Sequence, residues 1–112
     1  MMTYPLTGNG LRWGQRIAVD IPVRVAVHGS PAIHGHLKNL SLSGALMEAD
    51  HELRLHAYIE VRVKLPETGR SALSFMARVT RKFNDAVGVE WCEFAPSAVK
   101  DLLRSPSIRL PL

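Results

Sequence analysis

The chain has 112 residues, 46% of them hydrophobic and 21% charged, a composition that indicates a globular protein and leaves room for one domain. Its one cysteine excludes an internal disulfide and favours a reducing compartment. The formal net charge of +4 favours an anionic partner. The charge alone does not show whether that partner is a nucleotide, a nucleic acid or an acidic protein.

The N-terminal segment, residues 1–16, precedes the first regular pattern and carries Arg12 and Arg16. It has no basic region followed by an apolar core, and no apolar run in the chain is long enough to span a bilayer. We therefore expect a flexible segment ahead of the fold, and a cytoplasmic protein.

Alternation of apolar and polar residues with a period of two predicts strands along most of the chain. The runs, in order, are Ile17–Val27, Ala32–Ser41, Ala45–Ala49, Ala57–Leu65, Leu73–Thr80 and Val87–Trp91. Turn-forming residues separate them, including Ser43-Gly44 and Asn84-Asp85. The pattern predicts about six short strands, with a hairpin between the last two.

One short helix is predicted after the strands. It begins at Pro96 and reaches Arg104, and the apolar side chains Val99, Leu102 and Leu103 share one face. Short strands followed by one helix predict an all-β fold, a small six-stranded antiparallel barrel lidded by the helix, because closure removes exposed sheet edges.

The chain thus divides into an N-terminal segment of residues 1–16, a barrel domain of residues 17–104 and a C-terminal tail of residues 105–112. Neither an internal repeat nor a linker to a second domain is visible in the sequence.

Two polar motifs accompany the early strands. Arg12-Trp13-Gly14-Gln15-Arg16 places two guanidinium groups just ahead of the first strand, and Asn39-Leu40-Ser41-Leu42-Ser43-Gly44 lies at the turn between the second and third. In kind and order they resemble the RxxxR and [D/N]xSxxG motifs of the PilZ domain, a bacterial receptor for the second messenger cyclic di-GMP. Val87-Gly88-Val89-Glu90-Trp91 resembles the late glycine-containing strand of that family.

This resemblance implies a PilZ-like split barrel that binds cyclic di-GMP. Arg12 and Arg16 would grip phosphate and guanine, since the planar arginine fork suits both a phosphate and the O6 and N7 atoms of guanine. Asn39, Ser41 and Gly44 would receive the other base.

Accessory ligand contacts are predicted for four further residues: Trp13, Gln15, Ser43 and Arg78. Trp13 either stacks on a guanine or packs the N-terminal loop against the barrel. Arg78 begins a basic run with Arg81 and Lys82, which either extends the electrostatic attraction for the ligand or forms a solvated face.

At two positions this chain differs from the pattern of the family that it resembles. Asn39 stands where many members carry aspartate, and an amide donates through its nitrogen where a carboxylate only accepts. Leu11 stands where other members carry a further arginine that helps to hold a stacked ligand dimer, so we expect one ligand per domain.

Other reactive side chains show no pattern of a site. His34 and His36 share a strand face without a third ligand at a recognisable spacing, so no metal is predicted. Cys92 has no base beside it, and Trp91 is expected in the core. Neither an activated nucleophile nor a carboxylate pair stands out, so we expect neither an enzyme nor a cofactor other than the cyclic di-GMP ligand.

The sequence therefore predicts a non-catalytic, single-domain effector whose N-terminal loop is ordered by cyclic di-GMP and whose changed surface regulates a partner protein. The resemblance implies motility or exopolysaccharide machinery as that partner. Three alternatives stay open: a PilZ-fold adaptor that binds no nucleotide, a small barrel for single-stranded nucleic acid, and motifs that are merely solvated arginines and turn formers. The nucleic-acid alternative has little support, because base stacking needs exposed aromatic side chains. Aromatic residues make up 6% of the chain, and most lie on core positions.

Overall fold

The computed structural model describes residues 15–63, 73–93 and 95–104. These residues form six strands and one helix: β1 (Ile17–Val27), β2 (Ile33–Leu40), β3 (Gly44–Ala49), β4 (Tyr58–Val63), β5 (Leu73–Lys82), β6 (Val87–Trp91) and α1 (Ser97–Arg104). Every predicted strand and the helix are present, within a few residues of the expected bounds.

The strands close into one antiparallel barrel in the order β1-β2-β3-β6-β5-β4, with β4 also paired to β1. Each strand therefore hydrogen-bonds to two neighbours, and none presents a free edge. The expected six-stranded antiparallel barrel with one short C-terminal helix is confirmed.

The barrel interior is filled by the apolar members of the alternating runs. In β1, for example, Val19, Ile21, Val23 and Val25 are all buried while the residues between them are exposed. Trp91 lies in the same core, as predicted, and its ring meets that of Phe75 edge to face with centroids 4.8 Å apart.

The helix α1 buries one face and packs against β5. Its buried side chains are Val99, Leu102 and Leu103, the three that helical spacing places on one side. No helix among the described residues is long and apolar enough to cross a membrane.

A bulge in the β2–β3 pairing reverses the alternation near the end of β2. Leu37 is opposite Met47 and Asn39 is opposite Leu46, so Lys38 is an extra residue on β2. Unbroken alternation from the buried Leu37 would put Asn39 inside the barrel, whereas the bulge moves it to the outer face.

A second bulge does the same in β5. Val79 is opposite Val89 and Arg81 is opposite Gly88, which makes Thr80 the extra residue. Arg81 therefore leaves the core parity of Val79 and joins the outer surface, where it is exposed.

The two bulges complete a single row across the outside of four strands. Asn39 is paired with Leu46, Leu46 with Gly88, and Gly88 with Arg81. Three strand spacings make this row about 14 Å long. It runs from β2 through β3 and β6 to β5.

Candidate functional site

A cavity of about 320 Å³ opens over the row from Asn39 to Arg81. Leu46, Gly88 and Val89 are among the residues that line it. The polar side chains that line it are Arg16, Asn39, Ser43, Thr80, Arg81 and Glu90. The cavity thus joins one residue of the arginine motif to the turn motif and to β5 and β6.

Asn39 connects the two motifs directly. The Nη1 atom of Arg16 donates to the Oδ1 atom of Asn39 at 2.8 Å, and the backbone N–H of Leu46 donates to the same oxygen at 2.9 Å. Because a backbone N–H can only donate, it fixes which end of the amide is the oxygen. With Oδ1 doubly engaged, the Nδ2 donors are the part of Asn39 that a ligand would find available within the described chain.

Ser41 holds the turn after β2 from inside. Its side chain is fully buried, and its hydroxyl oxygen accepts from the backbone N–H groups of Ser43, at 3.2 Å, and Gly44, at 3.1 Å. The hydroxyl also lies 3.1 Å from the Gly44 carbonyl oxygen and 3.0 Å from the Ser43 hydroxyl. These hydrogen bonds stabilise the turn. The predicted contact of Ser41 with the ligand stays a prediction.

Gly44 is required by its neighbour strand. A Cβ atom at this position would overlap the backbone carbonyl oxygen of Val89 on β6, the strand paired with β3. The glycine therefore permits a close approach of two strands. Its predicted role beside a base stays a prediction.

Trp91 ties this turn to the core. Its indole Nε1–H donates to the carbonyl oxygen of Ser41 at 3.0 Å, and its backbone N–H donates to that of Ser43, also at 3.0 Å. The tryptophan was expected in the core, but no local pattern indicates that it holds a turn 50 residues earlier in the chain.

The arginine motif lies partly outside the described residues. Gln15 and Arg16 are described and exposed, and Arg16 reaches the cavity. Arg12 and Trp13 lie outside the described residues, so their predicted ligand contacts stay predictions.

The basic run on β5 divides at the bulge. Arg78 is opposite Glu90 on one side and Tyr58 on the other, and it does not line the cavity, while Arg81 does. Phe83 also lines the cavity. Neither Arg81 nor Phe83 was predicted as a site residue, since alternation alone puts Arg81 on the core side.

Charged pairs on the rest of the barrel surface are held by local contacts. Hydrogen bonding from Lys38 lowers the pKa of Asp20, whose Oδ1 also lies 3.1 Å from His36 Nδ1. Hydrogen bonding from Lys82 lowers the pKa of Glu52. Among the described residues, no group of three histidine, cysteine or acidic side chains is placed to hold a metal ion.

Within the described part of the chain, the carboxylate of Glu60 accepts three side-chain hydrogen bonds. The hydroxyl of Ser74 donates to its Oε2, and both Nε and Nη2 of Arg62 donate to its Oε1 at 3.0 and 2.7 Å. These contacts lower the pKa of Glu60, and the hydrogen bond from Ser74 is the largest cause.

Comparison with known proteins identifies a family and finds solved structures similar to the chain. The family model described as PilZ domain matches residues 11–105. The chain is similar to the crystal structure of the PilZ domain of CeSA from a cellulose synthesizing bacterium, with 26% sequence identity and a TM-score of 0.62. That similarity covers 81% of this chain and 93% of the other. No curated protein matches the chain.

Proposed function

The chain belongs to the PilZ domain family, a family of cyclic di-GMP receptors, and we propose that it binds cyclic di-GMP in the 320 Å³ cavity and acts as a non-catalytic effector. The match extends over residues 11–105, which include both the arginine motif and the turn motif. PilZ domains are binding domains, so the chemistry of the proposal is recognition.

The hydrogen bond from Arg16 to Asn39 is the observation that carries the proposal. It joins residues 23 positions apart in the chain, and both line the same cavity. A guanidinium suits a phosphate or the O6 and N7 atoms of guanine, and the Asn39 amide suits a base edge. Ser41 and Gly44 support this site by fixing the turn on which Asn39 ends.

Ligand binding would change the state of Arg16. The guanidinium of Arg16 is hydrogen-bonded to Asn39, so a ligand phosphate would compete for the same donor. Release or reorientation of Arg16 would alter the N-terminal segment that precedes it, which is the surface we propose a partner protein reads. The partner must then change the affinity of the chain for the nucleotide by the same factor by which the nucleotide changes its affinity for the partner.

The proposed partner is a component of motility or exopolysaccharide machinery. The structural relative is a PilZ domain of CeSA from a cellulose synthesizing bacterium, which favours the exopolysaccharide class. A receptor must share a compartment with its ligand, so a receptor for an intracellular second messenger would work in the cytoplasm.

Calorimetric titration of the full chain with cyclic di-GMP tests the proposal. We expect Arg12→Ala, Arg16→Ala and Asn39→Ala each to weaken binding by about tenfold or more, as loss of a hydrogen bond to a charged group implies. Arg24→Ala is the matched control, since Arg24 is an exposed arginine on β1 that does not line the cavity.

The alternatives give different titrations. No binding of cyclic di-GMP by the unmodified chain would favour the adaptor that binds no nucleotide. Preferential binding of a single-stranded oligonucleotide would favour the nucleic-acid barrel. Equal weakening in the Arg24 variant would mean that the effect is general charge and that the cavity is the wrong site.

A further inference from the structure

We propose that the far end of the cavity is a guanine-binding subsite formed by three side chains, Arg81, Phe83 and Glu90. The inference rests on the proposed function, because it assigns one base of cyclic di-GMP to a position. It adds residues that lie on β5, β6 and the turn between them, outside both sequence motifs.

Arg81 is directed to the cavity by the β5 bulge and by the absence of a side chain on its partner. Its Cβ lies 3.4 Å from the position that a Cβ on Gly88 would occupy, and its Cγ lies 3.9 Å from it. The arginine stem therefore lies beside the glycine, and both residues line the cavity. Its fork is suited to the O6 and N7 acceptors of a guanine, or to the adjoining phosphate.

Phe83 supplies an uncovered aromatic ring. It is 52% exposed although it lines the cavity, and its Cε2 lies 3.8 Å from the same Cβ position on Gly88. Its backbone is fixed, since its N–H donates to the Ala86 carbonyl at 2.8 Å across the β5–β6 turn. A base stacked on this ring would bury apolar surface that the free protein leaves in water.

Glu90 completes the match to guanine. It is exposed, lies two residues after Gly88 on the outer face of β6, and is the one carboxylate among the described residues that line the cavity. A carboxylate can accept from both the N1–H and the N2 amino group of guanine, whereas adenine has no N1–H to offer. Glu90 therefore provides discrimination between the two purines.

The three side chains address different parts of one base. Phe83 presents a stacking face, Arg81 a donor pair for the O6 and N7 edge, and Glu90 an acceptor for the N1 and N2 edge. Arg81 and Phe83 lie beside Gly88, whose missing side chain leaves the space that a base would fill, and Glu90 lines the same cavity. Asn39 lies at the other end of the same row, with Arg16 hydrogen-bonded to it.

The test is titration of the full chain and its variants with cyclic di-GMP and, separately, with cyclic di-AMP. We expect Phe83→Leu and Arg81→Gln each to weaken cyclic di-GMP binding by about tenfold, the loss associated with one stacked base or one bidentate contact. Glu90→Gln should reduce the preference for cyclic di-GMP over cyclic di-AMP by a similar factor. In proton NMR, stacking should shift a guanine H8 resonance upfield in the unmodified complex and not in Phe83→Leu.

Matched controls are Tyr58→Leu and Arg24→Gln, which remove an exposed ring and an exposed guanidinium outside the cavity, and both should bind like the unmodified chain. Binding that Arg16→Ala loses but the three subsite variants retain within twofold, with purine preference unchanged, would overturn the subsite and leave the proposed function standing. No binding by the unmodified chain would overturn both.

Discussion

Ser41 and Gly44, in the turn after β2 and at the start of β3, stabilise the fold and also have a proposed role in ligand binding. Ser41 is buried with its hydroxyl engaged by the turn itself, and Gly44 lies against the Val89 carbonyl. Substitution at either position therefore affects folding before it affects recognition, and the two effects need separate measurements.

Gly44→Ala should destabilise the barrel by about 1–3 kcal/mol, because the added methyl overlaps rigid backbone of β6 and forces the strands apart. Urea unfolding measures the change. Gly88→Ala is the control, since its nearest neighbour would be the Arg81 Cβ at 3.4 Å, an ordinary contact. Equal destabilisation by both substitutions would show that strand glycine as such, rather than the Val89 overlap, is the cause.

Ser41→Ala should cost about 1–3 kcal/mol of unfolding free energy, because the backbone N–H groups of Ser43 and Gly44 lose their buried acceptor. Ser43→Ala should cost less, since the side-chain hydroxyl of Ser43 contacts only that of Ser41 among the described residues. Denaturant unfolding compares the two. If Ser43→Ala proved as costly as Ser41→Ala, the Ser41 hydroxyl would not be the side chain that stabilises the turn.

The surface carboxylates predict a direction of pH dependence. The pKa of Glu60 is lower in the folded protein than its ordinary value, so Glu60 stabilises the fold above that ordinary value and loses its contribution as the pH falls through the folded value. We expect the thermal midpoint to fall as the pH is lowered below about 4, and to fall less in Glu60→Gln. An unchanged pH dependence in Glu60→Gln would contradict this role of Glu60.

At the scale of elements, the sequence predicts the strands well and their faces incompletely. Alternation gives both bounds of β1 and the burial pattern of β1 and β4, because nothing interrupts the period of two. In β2 and β5 one extra residue reverses the face of everything after it, and a single sequence does not show whether Lys38 or Thr80 is that residue. The sequence therefore indicates Arg81 only as a member of a basic run, while Asn39 is identified through its motif rather than its parity.

Helix α1 contributes to the fold through three buried side chains on one face. Leu102→Ala should cost about 2–5 kcal/mol, because the side chain is fully buried and its removal leaves a cavity. Lys100→Ala, on the exposed face, should change the unfolding free energy by less than about 0.5 kcal/mol. A small effect of Leu102→Ala would mean that the helix is not part of the cooperative unit.

At the scale of the whole molecule, the closed barrel brings distant segments together around one cavity. The cavity draws on residues from Arg16 to Glu90, and its row crosses four strands that are not consecutive in the chain. The sequence could predict the closure, from the number of short strands and one helix. It could not predict the Trp91 hydrogen bond to Ser41, because the pairing of β3 with β6 has no local signal.

Ligand binding should stabilise this assembly as a unit. Cyclic di-GMP at 100 times its dissociation constant should add about 2.7 kcal/mol to the unfolding free energy. For a domain of this size that corresponds to a rise of about 10 °C or more in the thermal midpoint. Scanning calorimetry with and without the ligand measures it, and Arg16→Ala should show a smaller rise at the same ligand concentration.

The indole of Trp91 offers a built-in optical probe. Its N–H reaches the carbonyl of Ser41 from inside the barrel, so the emission of this fluorophore depends on a hydrogen bond beneath the corner that carries Asn39. The chain has 2 tryptophans, and Trp13→Phe would leave Trp91 as the single emitter. Its spectrum would then report strain in that corner without any attached dye.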